Sequence, residues 1–409
     1  MSSPFDAVKV TDRVYWVGAV DWAIHEFHGY STPRGTTYNA FLVVDEKIAL
    51  VDTVKAPFAA EMLARVASVV DPGTIDYVVC NHVEMDHSGA LPLVIEKLEP
   101  ERVIASRKGV RALETHFHLG GGVDAVASGD EVSLGQTTLS FLETPMLHWP
   151  DSMISLLRGE GVLFSQDAFG MHLASSSRFA DELDADVLER EAAKYFANIL
   201  MPYAPLVGKL LARVEELGAR FDVVAPDHGP IFRRDPQWIV DRYARWAALG
   251  PTTKAVVVYD TMWGSTAAMA RAVAEGLIGG GAAPVVLLPL SSRHRSEVAS
   301  EVLDAGALVV GSPTMNNGLF PSVADVLCYL EGLRPRHLVG AAFGSHGWSG
   351  EAVRRIEEAF DRMKVERVAE SARVQHVPDA AALATCRALG ATVAEALCGR
   401  CAGRAVEAR

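Results

Sequence analysis

Residues 81–89 read NHVEMDHSG and place His82, Glu84, Asp86 and His87 within six positions. Two imidazoles and two carboxylates packed beside an apolar run are costly to bury unless a cation compensates them. Further along, His148 follows TTLSFLETPML, Asp167 closes GVLFSQD and His228 closes FDVVAPD. Each follows a segment with the composition of a β-strand. Four strand ends therefore deliver imidazole and carboxylate groups, and rigid strand ends fix metal-ligand geometry well. His116 and His118 in ETHFHLGG also form an HxH pair, but no third ligand is in view and they read as a helix end. A solitary histidine after a strand is ordinarily a solvated loop residue. The density of ligands at 82–87 sets this group apart.

A different chemistry is written past residue 250. The stretch VVVYDTMWGSTAAMARAVAEGL is a strand, a short loop and a helix. Backbone N–H groups at the helix start, with the hydroxyls of Thr261, Ser265 and Thr266, make a phosphate site. Met262, Trp263 and Gly264 complete that loop. It lacks GxGxxG and GK[ST], so the dinucleotide and nucleotide fingerprints are absent. GSPTMNNGLFP carries Ser312, Pro313, Thr314, Met315 and Asn316, and GSHGWSG carries Gly344, Ser345, His346, Gly347 and Trp348. Both follow strands at the carboxyl edge of a parallel sheet, where ligands bind. Trp348, flanked by glycine and serine, suits the face of a flat ligand better than a core.

These loops need two kinds of scaffold. Before residue 250, short apolar runs alternate with turn signals. TTYNAFLVVDEKIALVDT reads as two strands joined at Asp45–Lys47, EMLARVASVV has helical period, and IDYVVC is a strand. After it, strands and helices alternate strictly, the pattern of a doubly wound parallel sheet. Gly250 and Pro251 break a helix between the two patterns. The expectation is an α/β chain with a first domain over 1–250 and a second over 251–409 that ends in a helical tail.

With 409 residues and 49% hydrophobic content the chain has material for two sizeable cores. A net charge of −13 argues against nucleic acid or an anionic membrane as the main partner. No apolar run is expected to approach the length of a membrane span and no secretory signal is evident, so the expected location is cytoplasmic. Five cysteines are too few for a disulfide framework, and Cys398 and Cys401 read as two thiols near the end of a helix.

The series HxExDH, His148, Asp167 and His228 resembles the metallo-β-lactamase fold in its flavodiiron form, and the second half resembles flavodoxin. The order is that of class A flavodiiron proteins. Di-zinc hydrolases of this fold carry HxHxDH. Here Glu84 takes the middle place, and a carboxylate makes the site harder and more favourable to iron. The resemblance implies an αββα sandwich followed by a flavodoxin-like sheet, with two irons and FMN. It assigns His82, Glu84 and His148 to one iron and Asp86, His87 and His228 to the other, with Asp167 as bridge. Asp52 matches an acid behind the ligands, and His28, His172 and Tyr195 match positions that donate protons or hydrogen bonds there. The isoalloxazine would lie among the loops from Gly311 and Gly344, with Trp348 against its plane.

The activity implied is reduction of O₂ to water, of NO to N₂O, or both. Two ferrous ions and a reduced flavin hold the four electrons that O₂ requires. The resemblance also implies a head-to-tail homodimer, alone or paired into a tetramer, that sets one subunit's flavin beside the other's irons. An external donor, rubredoxin or a reduced deazaflavin, would supply the electrons. The rivals are a di-zinc hydrolase fused to a flavodoxin domain and a pure electron carrier with a lapsed metal site.

Overall fold

The computed structural model describes residues 5–407. The chain divides into two compact units. The first comprises residues up to His28, Thr32–Tyr195 and Pro205–Ala244, and the second Gly29–Ser31, Phe196–Ala204 and Arg245 onward.

The first unit is built on two sheets. One runs in the order Val8–Lys9, Val14–Trp16, Phe41–Val43, Ala49–Val51, Tyr77–Cys80, Arg102–Ser106 and Val123–Val126. The other runs Glu131–Ser133, Thr138–Glu143, Met153–Arg158, Val162–Gln166 and Val223–Pro226. Side chains alternate across a strand, so neighbours enter different cores. Phe41 and Val43 pack with Val79, Phe141 and Phe164, whereas Leu42 joins Leu50, Val78 and the helical residues Met62, Val66, Leu91 and Val94. Phe41 and Phe164 meet at 5.3 Å between ring centroids. Strands buried on both faces explain why these segments read as continuous apolar runs. Arg102–Ser106 and Met153–Arg158, strands that the sequence reading did not single out, complete the pattern.

The second unit is a parallel sheet with Ala255–Tyr259 between Val285–Pro289 and Ala307–Gly311, followed by Val339–His346. Glu366–Arg367 and Ala372–Gln375 both pair with that last strand. Strand order reverses beside Ala255–Tyr259, which puts the loops after the first and third strands on either side of a crevice. The helix Ala380–Glu407 closes one face. Contrary to the sequence expectation, its stretch Ala380–Gly403 is long and apolar enough to cross a membrane, with a mean hydropathy of 1.3. Cys386, Leu389, Val393 and Leu397 are nevertheless core residues of this unit, against Met269, Val273 and Leu277. Two glycines permit this approach. A Cβ on Gly276 would lie 1.9 Å from Arg387 O, and one on Gly390 2.1 Å from Val273 O.

In the first unit Asp45 joins the turn after Phe41–Val43 to the start of Thr138–Glu143. Its carboxylate accepts from Glu46 N (2.9 Å), Gln136 N (3.2 Å), Thr137 N (2.7 Å) and Thr137 Oγ1 (2.6 Å). Burial pushes its pKa up, but these donors outweigh burial and hold it below the ordinary value. A carboxyl depressed in the folded state stabilises above its unfolded pKa, about 3.9, and loses that contribution as pH falls through the folded value. Asp45→Asn should therefore cost about 1–2 kcal/mol at neutral pH and show a shallower loss of stability below pH ~4. Urea melts of both proteins across that range check this.

Candidate metal centre and flavin cleft

The first ligand segment leaves the Tyr77–Cys80 strand under tight control. Asp52, buried at φ +57°, accepts from Asn81 N (2.7 Å) and Asn81 Nδ2 (2.8 Å), and Asn81 O accepts from Met153 N (3.0 Å). The chain then turns into a single helical turn, Met85–Ser88. Ser88 Oγ caps Val83 O at 2.6 Å. This turn aims Glu84, Asp86 and His87 inward while Met85 stays half exposed.

His82, Glu84, His148 and Asp167 form one group of possible ligands, and Asp86, His87 and His228 a second. Within each group the ligand atoms all lie within 4.8 Å of one another. Asp167 joins the two. Its Oδ2 lies 3.2 Å from His82 Nε2 and 3.0 Å from His148 Nε2, and its Oδ1 lies 3.3 Å from His87 Nε2 and 3.5 Å from His228 Nε2. Glu84 Oε2 is 3.2 Å from His148 Nε2, and Asp86 Oδ2 is 3.2 Å from His228 Nε2. Metal–ligand bonds of about 2.1 Å put neighbouring ligand atoms roughly 3.0–3.4 Å apart, so the spacing fits a cation within each group. Asp86 Oδ1, His87 Nε2 and Asp167 Oδ2 are also buried without a hydrogen-bond partner. Such groups are rare in native structures, and ions account for them.

The electrostatics agree. Burial pushes the imidazoles of His82, His87 and His148 toward neutrality, but the facing carboxylates prevail and raise them, His87 to about 9. Burial likewise raises Asp86 and Asp167, and the facing histidines overcome it and hold both low. The pocket demands positive charge at its centre.

The far nitrogens of His82 and His228 are tied back by hydrogen bonds, and that of His87 faces a carboxylate. His82 Nδ1 meets Asp151 Oδ2 at 3.0 Å, and that oxygen also accepts from Val83 N at 2.8 Å. His228 Nδ1 donates to Thr37 O at 2.6 Å. His87 Nδ1 lies 3.5 Å from Asp227 Oδ2. Such partners fix ring orientation and leave Nε2 free for a metal. Tyr195 OH donates to Asp167 Oδ1 at 2.9 Å. The fully buried His172 has Nδ1 at 2.9 Å from Thr36 Oγ1 and its ring centroid 4.7 Å from that of His228. His28 is mostly exposed, with Nε2 3.7 Å from Glu84 Oε1. His116 and His118 belong to neither ligand group; they end the Arg107–Phe117 helix, where His118 takes the left-handed cap.

Asp151, Asp227 and Thr37 were missed in the sequence. Asp151 sits three residues after His148, and Asp227 immediately precedes His228. The rule that a ligating histidine has a carboxylate behind it would have flagged both. Nothing in the sequence marks Thr37.

In the second unit a cleft of about 340 Å³ is lined by Met262, Trp263, Ser265, Pro313, Thr314, Ser345, His346, Gly347, Trp348, His376 and Val377. No lysine, arginine or carboxylate is among them, so hydroxyls, backbone amides and the imidazoles of His346 and His376 are the groups offered to a phosphate. Gly264, at φ +88°, starts the helix Ser265–Gly279 and donates its N–H to Thr261 Oγ1 at 3.1 Å. Thr266 and Ser345 share a buried hydroxyl hydrogen bond of 2.8 Å across the cleft floor. Ser312 Oγ accepts from Phe320 N at 3.1 Å, and Asn316 turns its loop at φ +50°. Thr261, Gly264, Thr266, Ser312, Met315, Asn316 and Gly344 thus shape or flank the cleft without lining it. Trp263 and Trp348 are 95% and 86% exposed, open to a flat ligand. His376 and Val377, absent from the sequence reading, arrive from the end of Ala372–Gln375, where His376 N donates to His346 O at 2.8 Å.

A two-sheet unit with a two-cation pocket, joined to a parallel-sheet unit with a phosphate loop, defines a metal-dependent flavoprotein. Residues 36–229 match the ODP family beta lactamase model, and residues 257–390 match the flavodoxin model. The chain is 47% identical to a nitric oxide reductase of Moorella thermoacetica, over 96% of this chain and 99% of the relative. It is 45% identical to the rubredoxin-oxygen oxidoreductase of Megalodesulfovibrio gigas, over 96% and 98%. The solved structure of the flavodiiron protein from Giardia intestinalis superposes with a TM-score of 0.93 at 32% identity, over 97% of this chain and 98% of that one. The chain belongs to the flavodiiron proteins, oxidoreductases with a diiron centre and FMN.

Removing Asp151 frees the His82 ring. Asp151→Ala should weaken iron binding roughly 10–100-fold while flavin content stays at the wild-type level, as read by chelator competition. Trp348→Ala should do the reverse, loosening FMN and sparing iron, as read by flavin loss on gel filtration.

Proposed function

We propose that this chain reduces O₂ to water, NO to N₂O, or both, with residues 1–250 as the metal domain and 251–409 as the flavin domain. His82, Glu84 and His148 hold one iron, Asp86, His87 and His228 the other, and Asp167 bridges. The observation that carries this is the split of Asp167, one carboxylate oxygen facing each group. When bound, the irons and FMN supply the electrons and the open coordination positions for a diatomic molecule.

The protein's own side chains do the rest. Glu84 replaces a third imidazole with a harder oxygen ligand, which favours iron over zinc. Tyr195 steadies Asp167 through its hydrogen bond, and burial keeps its own proton tightly held. His172, pushed by burial well below the ordinary imidazole range, stays neutral beside His228. His28, exposed beside Glu84, is placed to pass protons from solvent to the pocket mouth. Ser265, Thr314 and Ser345 face the flavin cleft, with Thr261 and Gly264 shaping the phosphate loop and Trp348 beside the ring.

Rubredoxin or a reduced deazaflavin delivers the electrons, and two chains pair head to tail so that each flavin serves its partner's irons. Exposed apolar side chains support the pairing: Met85 beside the ligands, and Met262, Trp263, Trp348 and Val377 around the flavin cleft. The enzyme works in the cytoplasm, a reading supported by the scarcity of cysteine, five in 409 residues.

Asp167→Ala should abolish turnover of both gases and leave flavin absorbance intact. Side-by-side assays with O₂ and NO on chemically reduced protein check this. Retained turnover, or two zincs per chain with lactam or ester hydrolysis in the wild type, would overturn the reading.

A further inference from the structure

His148 and Asp167 stand on different loops, yet their ligand atoms must share one iron. Neither loop is regular where it carries its ligand, since residues 144–152 form turns and Asp167 lies just past its strand. One side chain spans them. Gln166 is fully buried. Its Nε2 donates to Leu147 O, next to His148, and its Oε1 accepts from Asp167 N at 2.7 Å. Its own carbonyl accepts from Asp227 N at 2.9 Å, one residue before His228. A single glutamine thus makes hydrogen bonds beside three of the proposed ligands.

The backbone at this point is unusual in a second, independent way. The pairing of Val162–Gln166 with Val223–Pro226 shifts register between Phe164 and Gln166. Gln166 then adopts φ +49°, the left-handed region. A residue with a Cβ is held there against a steric penalty between Cβ and the backbone. Such strain persists where the surroundings over-determine the conformation, and it gathers at functional sites.

We propose that the Gln166 carboxamide is a positioning residue that sets His148 against Asp167, and so creates the iron site of His82, Glu84 and His148. This deepens the diiron reading and rests on it. The second group, Asp86, His87 and His228, makes no hydrogen bond to that carboxamide. His87 and His228 are instead backed by Asp227 and Thr37. The two irons therefore depend unequally on one side chain. The carboxamide offers a donor and an acceptor at the reach these two partners need. Methionine has the length without the polar atoms. Asparagine has the polar atoms one methylene short, and it tolerates the left-handed backbone better than glutamine does.

The test compares full-length wild type, Gln166→Met and Gln166→Asn, all expressed with ample iron. Iron and FMN content, far-ultraviolet circular dichroism and Mössbauer spectra are recorded. Both variants should keep FMN and the wild-type dichroism, hold about half the wild-type iron, and lose one of the two iron environments. Failure in Gln166→Asn as well as Gln166→Met assigns the effect to the bridge rather than to relief of the strained backbone. Wild-type iron and spectra in either variant overturn the proposal. So does loss of both irons together, or failure of both variants to fold, because each points to a role in the whole unit. Wild-type protein that takes up no iron would overturn the diiron reading itself, and this inference with it.

Discussion

One carboxylate between four imidazoles governs the metal unit. Asp167 is almost wholly buried, and each of its oxygens lies within 3.5 Å of two histidine nitrogens. A buried anion is tolerable only with compensating charge. In the protein alone that compensation falls to the histidines, and the carboxylates raise His82, His87 and His148. Cations in the same places satisfy all seven side chains together. The architecture serves this arrangement: three strand ends and the turns of residues 144–152 converge, and groups behind His82 and His228 hold those rings in place.

Much of this was legible in the residues. The cluster at 82–87 announced itself because ionisable groups at such density next to YVVC have no ordinary reason to be buried. Asp167 and His228 were legible because each closes a run of strand composition, and His148 because it follows one, although its strand ends at Glu143 and turns carry the chain on to it. The alternation past residue 250 fixed the sheet type, since only crossover helices connect parallel strands so regularly.

What escaped had no local signature. Thr37 acts through its backbone carbonyl, which any residue supplies, and His376 reaches the flavin cleft only because Ala372–Gln375 pairs with Val339–His346. Gln166 looks in sequence like one more residue of an apolar strand. Its part depends on a register shift and a left-handed turn that no composition betrays. Asp151 and Asp227 lie between these cases. Both sit close to ligands in sequence, but only the fold shows which imidazole each one backs. The long apolar helix at the end gives the converse lesson. Its composition suits a membrane, yet Gly390 and a stripe of core residues pack it on the Ser265–Gly279 helix.

The central claim is that this carboxylate-rich pocket holds a pair of irons, one on each oxygen of Asp167. Anomalous X-ray scattering from crystals of the protein as purified addresses it directly. Data collected on either side of the iron and zinc absorption edges should show two iron peaks, one within each ligand group. A single peak, or two peaks that follow the zinc edge instead, would contradict the account.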